Sequence, residues 1–328
     1  MERTEERMTD ITAIGEALID FTPAGKAEGA PLYARNPGGA PLNMLVQASR
    51  LGCSCAFLGK VGADAFGYAL RDVMTANGID TAGLRFSENT RTTLAFVHLS
   101  DDGERSFSFY RNPGADLMLE SGEVDTDVIR KSRVFSFGSL SLTAEPVRSA
   151  TAFALEQAKT AGCLVAFDPN YREGLWDGRK NAVCRILEYM PYADILKISE
   201  EELLLLTDTE DPERGSELLA GRYGISLVCV SLGEGGAFFL CGEKKGTVPG
   251  YRVNAVDTTG AGDAFLGALL SRLKGYSPAE IRGMDREEII SAVRFANAAG
   301  ALAVTGKGAI PAIRERREIE KFLEEHGN

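Results

Sequence analysis

The sequence predicts an α/β protein with a mostly parallel central sheet covered by helices on both faces. Short apolar runs that suit buried strands alternate with helix-like stretches along most of its 328 residues. One segment interrupts the alternation: it is rich in Thr, Phe and Val and contains an Asp-Asp-Gly turn, which is typical of a β-hairpin. We therefore predict one main domain with a small β excursion that projects from it.

The elements follow from the pattern of apolar residues. The predicted strands lie at residues 11–21, 55–62, 134–137, 164–167, 195–198 and 227–230. The predicted helices lie at residues 43–51, 67–77, 146–161 and 200–206. The hairpin comprises residues 92–99 and 105–110. Ligands gather at the carboxyl ends of strands in such folds, so the polar residues that follow the predicted strands are candidates for a site.

Composition excludes several classes of function. The net charge of −11 argues against nonspecific binding to nucleic acid or to a membrane surface, and no apolar run approaches the length of a membrane span. The six cysteines form no CxxC pair and are interpreted as buried thiols of a cytoplasmic protein. Only two histidines occur, which excludes a His-based triad or metal centre, and neither GxGxxG nor a P-loop is present.

The most informative segment is Asp257-Thr258-Thr259-Gly260-Ala261-Gly262-Asp263, followed at once by an apolar, helix-like run. Small residues let backbone N–H groups approach a ligand, and N–H groups that open a helix favour an anion. Asp263 beside a phosphate is explained if it takes a proton from a hydroxyl that attacks the phosphate. The structural alternative is Asp257 at a strand end and Thr259 as a helix cap. We favour the phosphate turn, because small residues framed by acids fit poorly with a cap.

Two features near the N-terminus give weaker evidence for a ligand. Gly38 and Gly39 precede a helix, so the backbone could approach a polar ligand and Asn43 could hydrogen-bond hydroxyls. A Gly-rich turn is an equal alternative. Asp20 follows the first apolar run and could accept hydrogen bonds from two sugar hydroxyls, although a strand-end turn residue is the simpler interpretation.

Two polar segments follow later strands. In Asp168-Pro169-Asn170-Tyr171-Arg172, Arg172 could contact a phosphate or a substrate oxygen, or pair with Asp168, and the structural pairing is slightly favoured. Ser199 suits a helix N-cap with Glu202 at the capping-box position, and Glu202 could also lie near a magnesium ion through water. Both roles of Glu202 can hold at once.

A third segment contains Ser231, Gly233 and Gly236 after a strand. These glycines would leave room for a nucleotide. The pattern is weak by itself, and a hairpin turn is an equal alternative.

Together these segments resemble the ribokinase-like (PfkB) carbohydrate kinases over nearly the whole chain, from residue 11 to about residue 312. The most specific motifs, residues 38–43 and 257–263, stand in the family's order and at its wide separation. Within the family the chain is most similar to fructokinases, in segments 15–21, 109–116, 168–172 and 197–203. The resemblance implies a three-layer α/β/α sandwich with a mostly parallel sheet, a small β-sheet lid, and ATP-dependent phosphoryl transfer to a sugar.

The resemblance also implies a role for individual residues. Asp263 would be the base that deprotonates the sugar hydroxyl, and backbone N–H groups of Gly260, Ala261 and Gly262 would form the anion hole. The residues that would hold or cover the sugar are Asp20, Gly38, Gly39, Asn43, Arg111 and Arg172, of which Arg172 could instead reach the phosphates. The residues that would line the nucleotide are Ser231, Gly233, Gly236 and, near the adenine, Asn297.

Two metal ions are implied by the same resemblance. Glu202 matches the family's magnesium-associated Glu, acting through water, although Ser199 stands where the family often has Asn. A monovalent cation such as K⁺ would lie beside the anion hole, held mostly by backbone carbonyls of Asp257, Thr259, Ala303, Gly306, Gly308 and Ala312. Activity that is identical in potassium and in a bulky organic cation would count against this second site.

The resemblance divides the chain into a core and a lid. The core would comprise residues 10–22, 37–90 and 113–328, the β lid residues 23–36 and 91–112, and residues 1–9 would be a disordered lead-in. A lid that excludes water protects the nucleotide from hydrolysis. Because lids pair between subunits in several relatives, a homodimer through the lid is a further expectation.

The motifs specify phosphoryl transfer more closely than they specify the sugar. Fructose, giving fructose 6-phosphate, is the leading substrate, and 2-keto-3-deoxygluconate or ribose are the alternatives. A keto-sugar acid would need an extra cation in the pocket, which Arg111 or Arg172 could supply. A non-catalytic sugar-binding protein should have lost the base or the anion hole, and both are present here.

Overall fold

The computed structural model describes residues 8–99 and 105–326. Its strands are β1 (Thr9–Ile14), β2 (Leu18–Ala27), β3 (Ala30–Gly38), β4 (Cys55–Gly62), β5 (Ile79–Asp80), β6 (Leu84–Ser87), β7 (Leu94–Leu99), β8 (Arg105–Tyr110), β9 (Ser132–Gly138), β10 (Leu164–Asp168), β11 (Ile195–Ser199), β12 (Leu227–Ser231), β13 (Ala237–Cys241) and β14 (Lys244–Val248). Its helices are α1 (Ala40–Arg50), α2 (Ala65–Ala76), α3 (Thr126–Arg130), α4 (Val147–Thr160), α5 (Arg179–Tyr189), α6 (Glu200–Thr207), α7 (Pro212–Tyr223), α8 (Ala261–Leu273), α9 (Pro278–Gly283), α10 (Arg286–Ala303), α11 (Ala309–Ala312) and α12 (Arg316–His326).

A ten-stranded sheet forms the centre, in the order β14-β13-β12-β11-β10-β9-β1-β4-β5, with β6 also paired to β4. It is parallel except at one edge, where β13 and β14 add antiparallel strands. The register places Asp168 beside Gly138 and Ser199 beside Ser231. Because these residues end neighbouring parallel strands, they form one polar row at the carboxyl edge, where such sheets bind ligands.

Helices cover both faces of this sheet, so its strands are apolar on both sides. Along β10, Leu164 and Ala166 join the apolar cluster that contains α1, α8 and α10. Val165 and Phe167 alternate with them and join the opposite cluster, with α4 and α5. This period of two produces the three-layer α/β/α arrangement, which confirms the fold class expected from the sequence. In the described parts of the chain, no helix is long and apolar enough to cross a membrane.

A separate four-stranded sheet has the order β3-β2-β7-β8. Two antiparallel hairpins, β2–β3 and β7–β8, are joined by the parallel pairing of β2 with β7. Aromatic rings lie together on it: Phe21 stacks on Phe96 with centroids 4.8 Å apart, and Tyr33 and Tyr110 meet the same Phe96 ring edge-on. The predicted hairpin is confirmed, whereas its proposed turn at residues 101–103 lies outside the described residues.

The predicted strand over residues 11–21 is wrong as a single element. These residues divide between β1 in the main sheet and β2 in the second sheet. Asp20 therefore lies inside β2, opposite Asn36 of β3, and not at a strand end. The apolar pattern could not reveal this break, because apolar residues of β1 and of the start of β2 lie on either side of it, and the two strands are separated by their pairing partners.

Several other predicted features are adjusted by the structure. The helix predicted from residue 43 begins at Ala40, and the one predicted from residue 67 begins at Ala65. The hairpin-turn alternative at residues 231–236 is confirmed, since β12 and β13 pair antiparallel across it. Cys184 is exposed, unlike the other five cysteines. Most of the predicted lead-in, residues 1–9, lies outside the described residues, and β1 begins at Thr9.

Helices α1 and α8 touch through a glycine, close to the residues singled out from the sequence. A Cβ built on Gly267 of α8 would overlap the carbonyl oxygen of Met44 in α1 and lie 2.8 Å from Gln47 Cβ. Only glycine permits so close an approach. This contact sets the distance between the first turn of α1, which carries Asn43, and the first turn of α8, which carries Asp263.

Replacing Gly267 with Ala is expected to lower the free energy of unfolding by about 2 kcal/mol, because the added methyl group forces α1 and α8 apart. The matched control is Gly221→Ala in α7, where a Cβ would meet nothing within 4 Å. That variant is expected to be neutral or more stable by up to about 1 kcal/mol. Urea unfolding measures the free energy of unfolding of both variants. Equal effects of the two substitutions would contradict the close packing at Gly267.

Candidate active site

Two adjoining cavities open at the carboxyl edge of the main sheet. The larger, about 480 Å³, is lined by the starts of α1, α6 and α8, by β2 and β8, and by the loop after β10. The smaller, about 310 Å³, has a more apolar lining that includes Tyr251 and Phe265. Ser231, Thr258 and Gly262 line both, so a ligand could extend from one cavity into the other.

Asp263 lies buried in the first turn of α8, where it lines the larger cavity next to Gly262, which lines both. Asn43 Nδ2 donates to its Oδ2 at 2.8 Å, and Asn170 Nδ2 donates to its Oδ1 at 3.2 Å. Burial, together with the charge of Asp168, raises the pKa of Asp263 above its usual range, against the Asn43 hydrogen bond. Two amides from distant segments thus hold one oriented carboxylate that takes up a proton more readily than an exposed Asp.

A buried ion pair lies beside Asp263. Lys197 Nζ is 2.9 Å from Asp168 Oδ2, and both side chains are less than a tenth exposed. Burial works against the charge of Lys197, but the neighbouring carboxylates, Asp168 first, raise its pKa above the ordinary value. A Cβ built on Gly262 would lie 2.7 Å from Nζ, so this turn needs glycine to pass over the ammonium group. Lys197 therefore supplies a fixed positive charge directly under the turn.

Glu202 caps helix α6 and also lines the larger cavity. Its Oε2 accepts from Ser199 N at 2.8 Å, and its Oε1 accepts from Tyr171 N at 2.7 Å. Burial and the charge of Asp168 raise its pKa. The capping box predicted from the sequence is confirmed, with Ser199 Oγ accepting from Glu202 N at 3.1 Å.

The residues fit a magnesium ion held through water. Within residues 8–99 and 105–326, no three His, Cys, Asp or Glu side chains converge to ligate a metal directly. Each Glu202 oxygen accepts one backbone N–H and retains a lone pair for a metal-bound water. Mg²⁺ prefers hard oxygen donors and usually keeps several waters, so Glu202 suits such outer contact.

The Asp257 side chain accepts the hydrogen bonds that fix the turn before α8. Its Oδ1 accepts from Thr259 N at 3.0 Å and from Thr259 Oγ1 at 2.7 Å, while its Oδ2 accepts from Gly308 N at 3.0 Å. The N-cap of α8 is Gly260, with φ of 80°, and no side chain caps it. The alternative of Thr259 as a structural cap is therefore wrong. Asp257 instead ties the turn to the loop before α11.

The three predicted anion-binding groups are not equivalent. Ala261 N already donates to Thr258 O, in a long bond of 3.4 Å, and Gly260 O accepts from Ala264 N at 2.8 Å. A Cβ on Gly260 would lie 2.8 Å from Ala309 Cβ, so this position is also closely packed. N–H groups of a first helical turn have no partner within the helix, which leaves Gly262 N well suited to an anion.

The predicted cation positions gather next to this turn. Gly306 lies against α11, since a Cβ there would be 2.8 Å from Ala312 Cβ. Ala303 ends α10, and Gly308 N bonds to Asp257. The structure thus brings together the loop segments that contain the six positions, while their role toward a cation stays a prediction.

Asp20 and Gly39 line one wall of the larger cavity, and Gly38 packs behind Asp20. A Cβ on Gly38 would overlap the carboxylate of Asp20, so the glycine makes room for it. Gly39 has φ of 109° and packs on the backbone of Glu16. Burial raises the pKa of Asp20 to about 7, with help from Asp263 and Asp257 and against the opposing charge of Arg172. The wall therefore presents a carboxyl group that is half-ionised near neutral pH.

The two candidate arginines differ in position. Arg172 lines the larger cavity, but its suggested pairing with Asp168 is wrong, because Asp168 pairs with Lys197. Arg111 does not line that cavity. Its Nε donates to Asp116 Oδ2 at 2.7 Å and its Nη2 to Leu140 O at 3.0 Å, and the side chain is 5% exposed. Closure of Arg111 over a ligand therefore requires it to leave a buried ion pair.

The predicted nucleotide residues all line the smaller cavity. Ser231, Gly233, Gly236 and Asn297 appear there together, although they come from two distant segments. Asn297 Nδ2 donates to Val248 O at 3.0 Å and to Pro249 O at 3.1 Å. Asn297 thus fixes the strand-end loop that forms one side of this cavity.

Three functional candidates were given no role from the sequence: Glu16, Asn170 and Lys197. All three line the larger cavity and are buried. A lysine between apolar residues of a strand is rare unless it is paired, and this signal could have identified Lys197. Nothing in the sequence indicated that Asn170 turns toward Asp263.

Known proteins resemble this chain over its length. The model of the pfkB family carbohydrate kinases matches residues 8–316. Fructokinase-1 of Oryza sativa subsp. japonica is 44% identical over 317 residues, which cover 96% of this chain and 97% of that protein.

Solved structures agree with the sequence comparison. A fructokinase with bound ATP from Xylella fastidiosa matches with a TM-score of 0.91 and 33% identity, covering 98% of this chain and 100% of that one. A fructokinase double mutant from Vibrio cholerae O395, with fructose, ADP and potassium bound, matches with a TM-score of 0.87 and 36% identity. The match covers 97% of this chain and 99% of that one.

The pKa of Asp20 predicts a pH-dependent effect on stability. A carboxyl group whose pKa is raised in the folded state stabilises the protein at low pH and loses that contribution as the pH rises through about 7. Asp20→Asn cannot ionise, so it is expected to gain stability relative to the unsubstituted protein between about pH 5.5 and about pH 8, on the order of 2–3 kcal/mol. Urea unfolding at both pH values measures this. Asp72→Asn, at an exposed position, is the control, and a parallel trend in both variants would contradict the burial argument.

Proposed function

The chain belongs to the pfkB family of carbohydrate kinases, and we propose that it transfers the γ-phosphoryl group of ATP to the 6-hydroxyl of fructose. One observation carries this proposal: a buried, amide-held carboxylate, Asp263, lines the larger cavity in the first turn of α8, next to Gly262, which lines both cavities. A kinase needs a base facing the acceptor and an anion site facing the donor, and this one turn offers both.

Asp263 acts as the general base. The proton of the sugar hydroxyl passes to its carboxylate, the hydroxyl oxygen bonds to the γ-phosphorus, and the bond to the β-phosphate oxygen breaks to release ADP. A raised pKa suits this task, because a base works best when its pKa approaches the operating pH. Asn43 and Asn170 orient the carboxylate by donating to one oxygen each.

Positive groups around the turn stabilise the transferring phosphoryl group. The N–H groups of Gly260, Ala261 and Gly262 and the dipole of α8 attract its oxygens. Each such donor is worth about 3 kcal/mol in a transition state that it fits. Lys197 adds a charge beneath Gly262, although its ion pair with Asp168 reduces the net field. Of the three N–H groups, Ala261 contributes least until it leaves Thr258 O.

Two ions complete the proposed site. Magnesium, held through water near Glu202, supplies charge neutralisation of the triphosphate when bound. The positions that would hold a potassium ion next to the turn are Asp257, Thr259, Ala303, Gly306, Gly308 and Ala312. The fructokinase from Vibrio cholerae that holds potassium supports this assignment, as does the way Asp257 links the two loop segments concerned.

The charges of the larger cavity favour a neutral sugar over a sugar acid. Asp20, Glu16 and Asp263 line it. Two cations that could answer a substrate carboxylate are engaged elsewhere: Lys197 with Asp168 and Arg111 with Asp116. Among the described residues that line this cavity, Arg172 is left to bind a sugar acid such as 2-keto-3-deoxygluconate. Hydroxyls, in contrast, can donate to carboxylates, so fructose fits this wall better.

The second sheet is proposed to act as a lid. The lid would comprise residues 23–36 and 91–112, and within its described part Phe109 of β8 contributes to the lining of the larger cavity. Leu32, Tyr33 and Tyr110 are large exposed side chains on this sheet. They support a homodimer formed through the lid, since apolar surface of this kind favours association. A cytoplasmic location is proposed from the six cysteines, all of them free.

A coupled kinase assay over a panel of sugars with ATP and magnesium tests the proposed substrate. Fructose is expected to give a kcat/KM at least about tenfold higher than that of 2-keto-3-deoxygluconate or ribose, because a missing polar partner commonly costs more than about 1 kcal/mol. A clear preference for 2-keto-3-deoxygluconate would overturn the assignment of fructose and leave the assignment of the base in place.

Replacing Asp263 with Asn is expected to lower kcat by roughly 10²–10⁴-fold, the usual contribution of a general base, with sugar affinity nearly unchanged. Initial rates and calorimetric titration of fructose measure the two effects. Asp125→Asn, at the N-cap of α3, is the matched control and should leave both values unchanged. Retention of normal turnover by Asp263→Asn would eliminate Asp263 as the base.

A further inference from the structure

The connection between β1 and β2 interlocks with the start of α1. A Cβ built on Gly15 would lie 2.7 Å from Pro41 Cγ, and one built on Gly39 would lie 2.5 Å from Glu16 O. These distances leave no room for a side chain at either glycine, so the two segments are packed backbone to backbone. Residues 15–17 therefore form a rigid support for the backbone that begins α1.

Helix α1 lacks a cap of its own. Its N-cap is Gly39, which has no side chain, and its first turn contains no acidic residue. Glu16 replaces the missing cap: its Oε1 accepts from Ala40 N at 3.0 Å across 24 positions of sequence. An acceptor oxygen at this end of a helix satisfies an N–H that has no partner within the helix.

The first turn of α1, where Glu16 binds, carries residues that line the larger cavity. Asn43 N donates to Gly39 O at 2.9 Å, and Asn43 Nδ2 donates to Asp263 Oδ2 at 2.8 Å. A shift of Ala40 would therefore move Asn43 and, through it, the base. Glu16 itself is only 4% exposed and lies at the wall of the larger cavity.

We propose that Glu16 is a positioning residue that holds the start of α1 in register with Asp263, by accepting the Ala40 N–H. This inference rests on the proposed kinase function, because its readout is sugar turnover. The hydrogen-bond acceptor, rather than the negative charge, performs this role. Burial, with a smaller contribution from the charge of Asp116, raises the pKa of Glu16 to about 7 against the opposing charge of Arg111.

Two substitutions of nearly the same size as Glu16 distinguish the effect of its hydrogen-bond acceptor from the effect of its negative charge. Glu16→Gln keeps a side-chain oxygen for Ala40 N, whereas Glu16→Met keeps the length and removes the acceptor. The control is Asp211→Ala, which deletes the N-cap of α7, away from both cavities, where Asp211 accepts from Glu213 N and Arg214 N. Steady-state kinetics with fructose and ATP, each varied in turn, and urea unfolding are measured for the three variants and the unsubstituted protein.

Glu16→Met is expected to raise the KM for fructose and lower kcat, with kcat/KM for fructose falling at least about tenfold, because small misplacements of reacting groups are costly. The KM for ATP should stay within about twofold, since the residues that line the nucleotide cavity all lie outside α1. Glu16→Gln should recover kcat/KM to within about threefold of the unsubstituted protein, because the acceptor is kept. Asp211→Ala is expected to have a lower free energy of unfolding than the unsubstituted protein and unchanged kinetic constants.

Two results would overturn the inference: Glu16→Met with normal fructose kinetics, or Glu16→Gln as damaged as Glu16→Met, which would assign the role to the charge. A crystal structure of the Glu16→Gln variant, with Ala40 N still in contact with the side-chain amide oxygen, checks the geometry. If the unsubstituted protein phosphorylates no sugar of the panel, the proposed function fails and this inference fails with it. Normal turnover in the unsubstituted protein and in Glu16→Met rejects the inference alone.

Discussion

The hydrogen bond between Asn43 and Asp263 is the interaction on which the site depends. It joins the first turns of α1 and α8, which lie 220 residues apart in the chain, at 2.8 Å. Two features lie next to it: Gly267 lets the two helices touch, and Glu16 accepts the Ala40 N–H at the start of α1. The same α8 turn directs N–H groups toward the neighbouring cavity. One helix start thus links the sugar side and the phosphate side.

Negative charge is concentrated in this site at the expense of stability. Glu16, Asp20, Glu202 and Asp263 all have pKa values raised by burial, and two buried cations, Lys197 and Arg111, lie near them. Buried carboxylates of this kind destabilise a fold near neutral pH, and they persist where function requires them. The arrangement is consistent with a site that binds hydroxyl groups on one side and, with metal ions, a polyphosphate on the other.

The sequence patterns predicted features that depend on residues close together in the chain. They missed features that depend on tertiary contacts. The alternation of strands and helices, the hairpin and the capping box at Ser199 follow from periodicity and short-range chemistry, and the structure confirms them. The break between β1 and β2 was missed, because pairing partners rather than composition separate the two strands. Likewise Lys197 lies within a segment that the sequence singled out, but its contact with Asp168 depends on adjacent strands. The pairing of Arg111 with Asp116 could not be distinguished from a sugar contact by spacing alone.

The central claim is that Asp263 faces the reacting hydroxyl of a sugar bound in the larger cavity. A crystal structure with fructose and a non-hydrolysable ATP analogue tests it most directly. We expect the 6-hydroxyl within about 2.6–3.2 Å of an Asp263 oxygen, with the γ-phosphate at the start of α8. A sugar bound with its 6-hydroxyl turned away from Asp263, or phosphates placed away from residues 260–262, would contradict it.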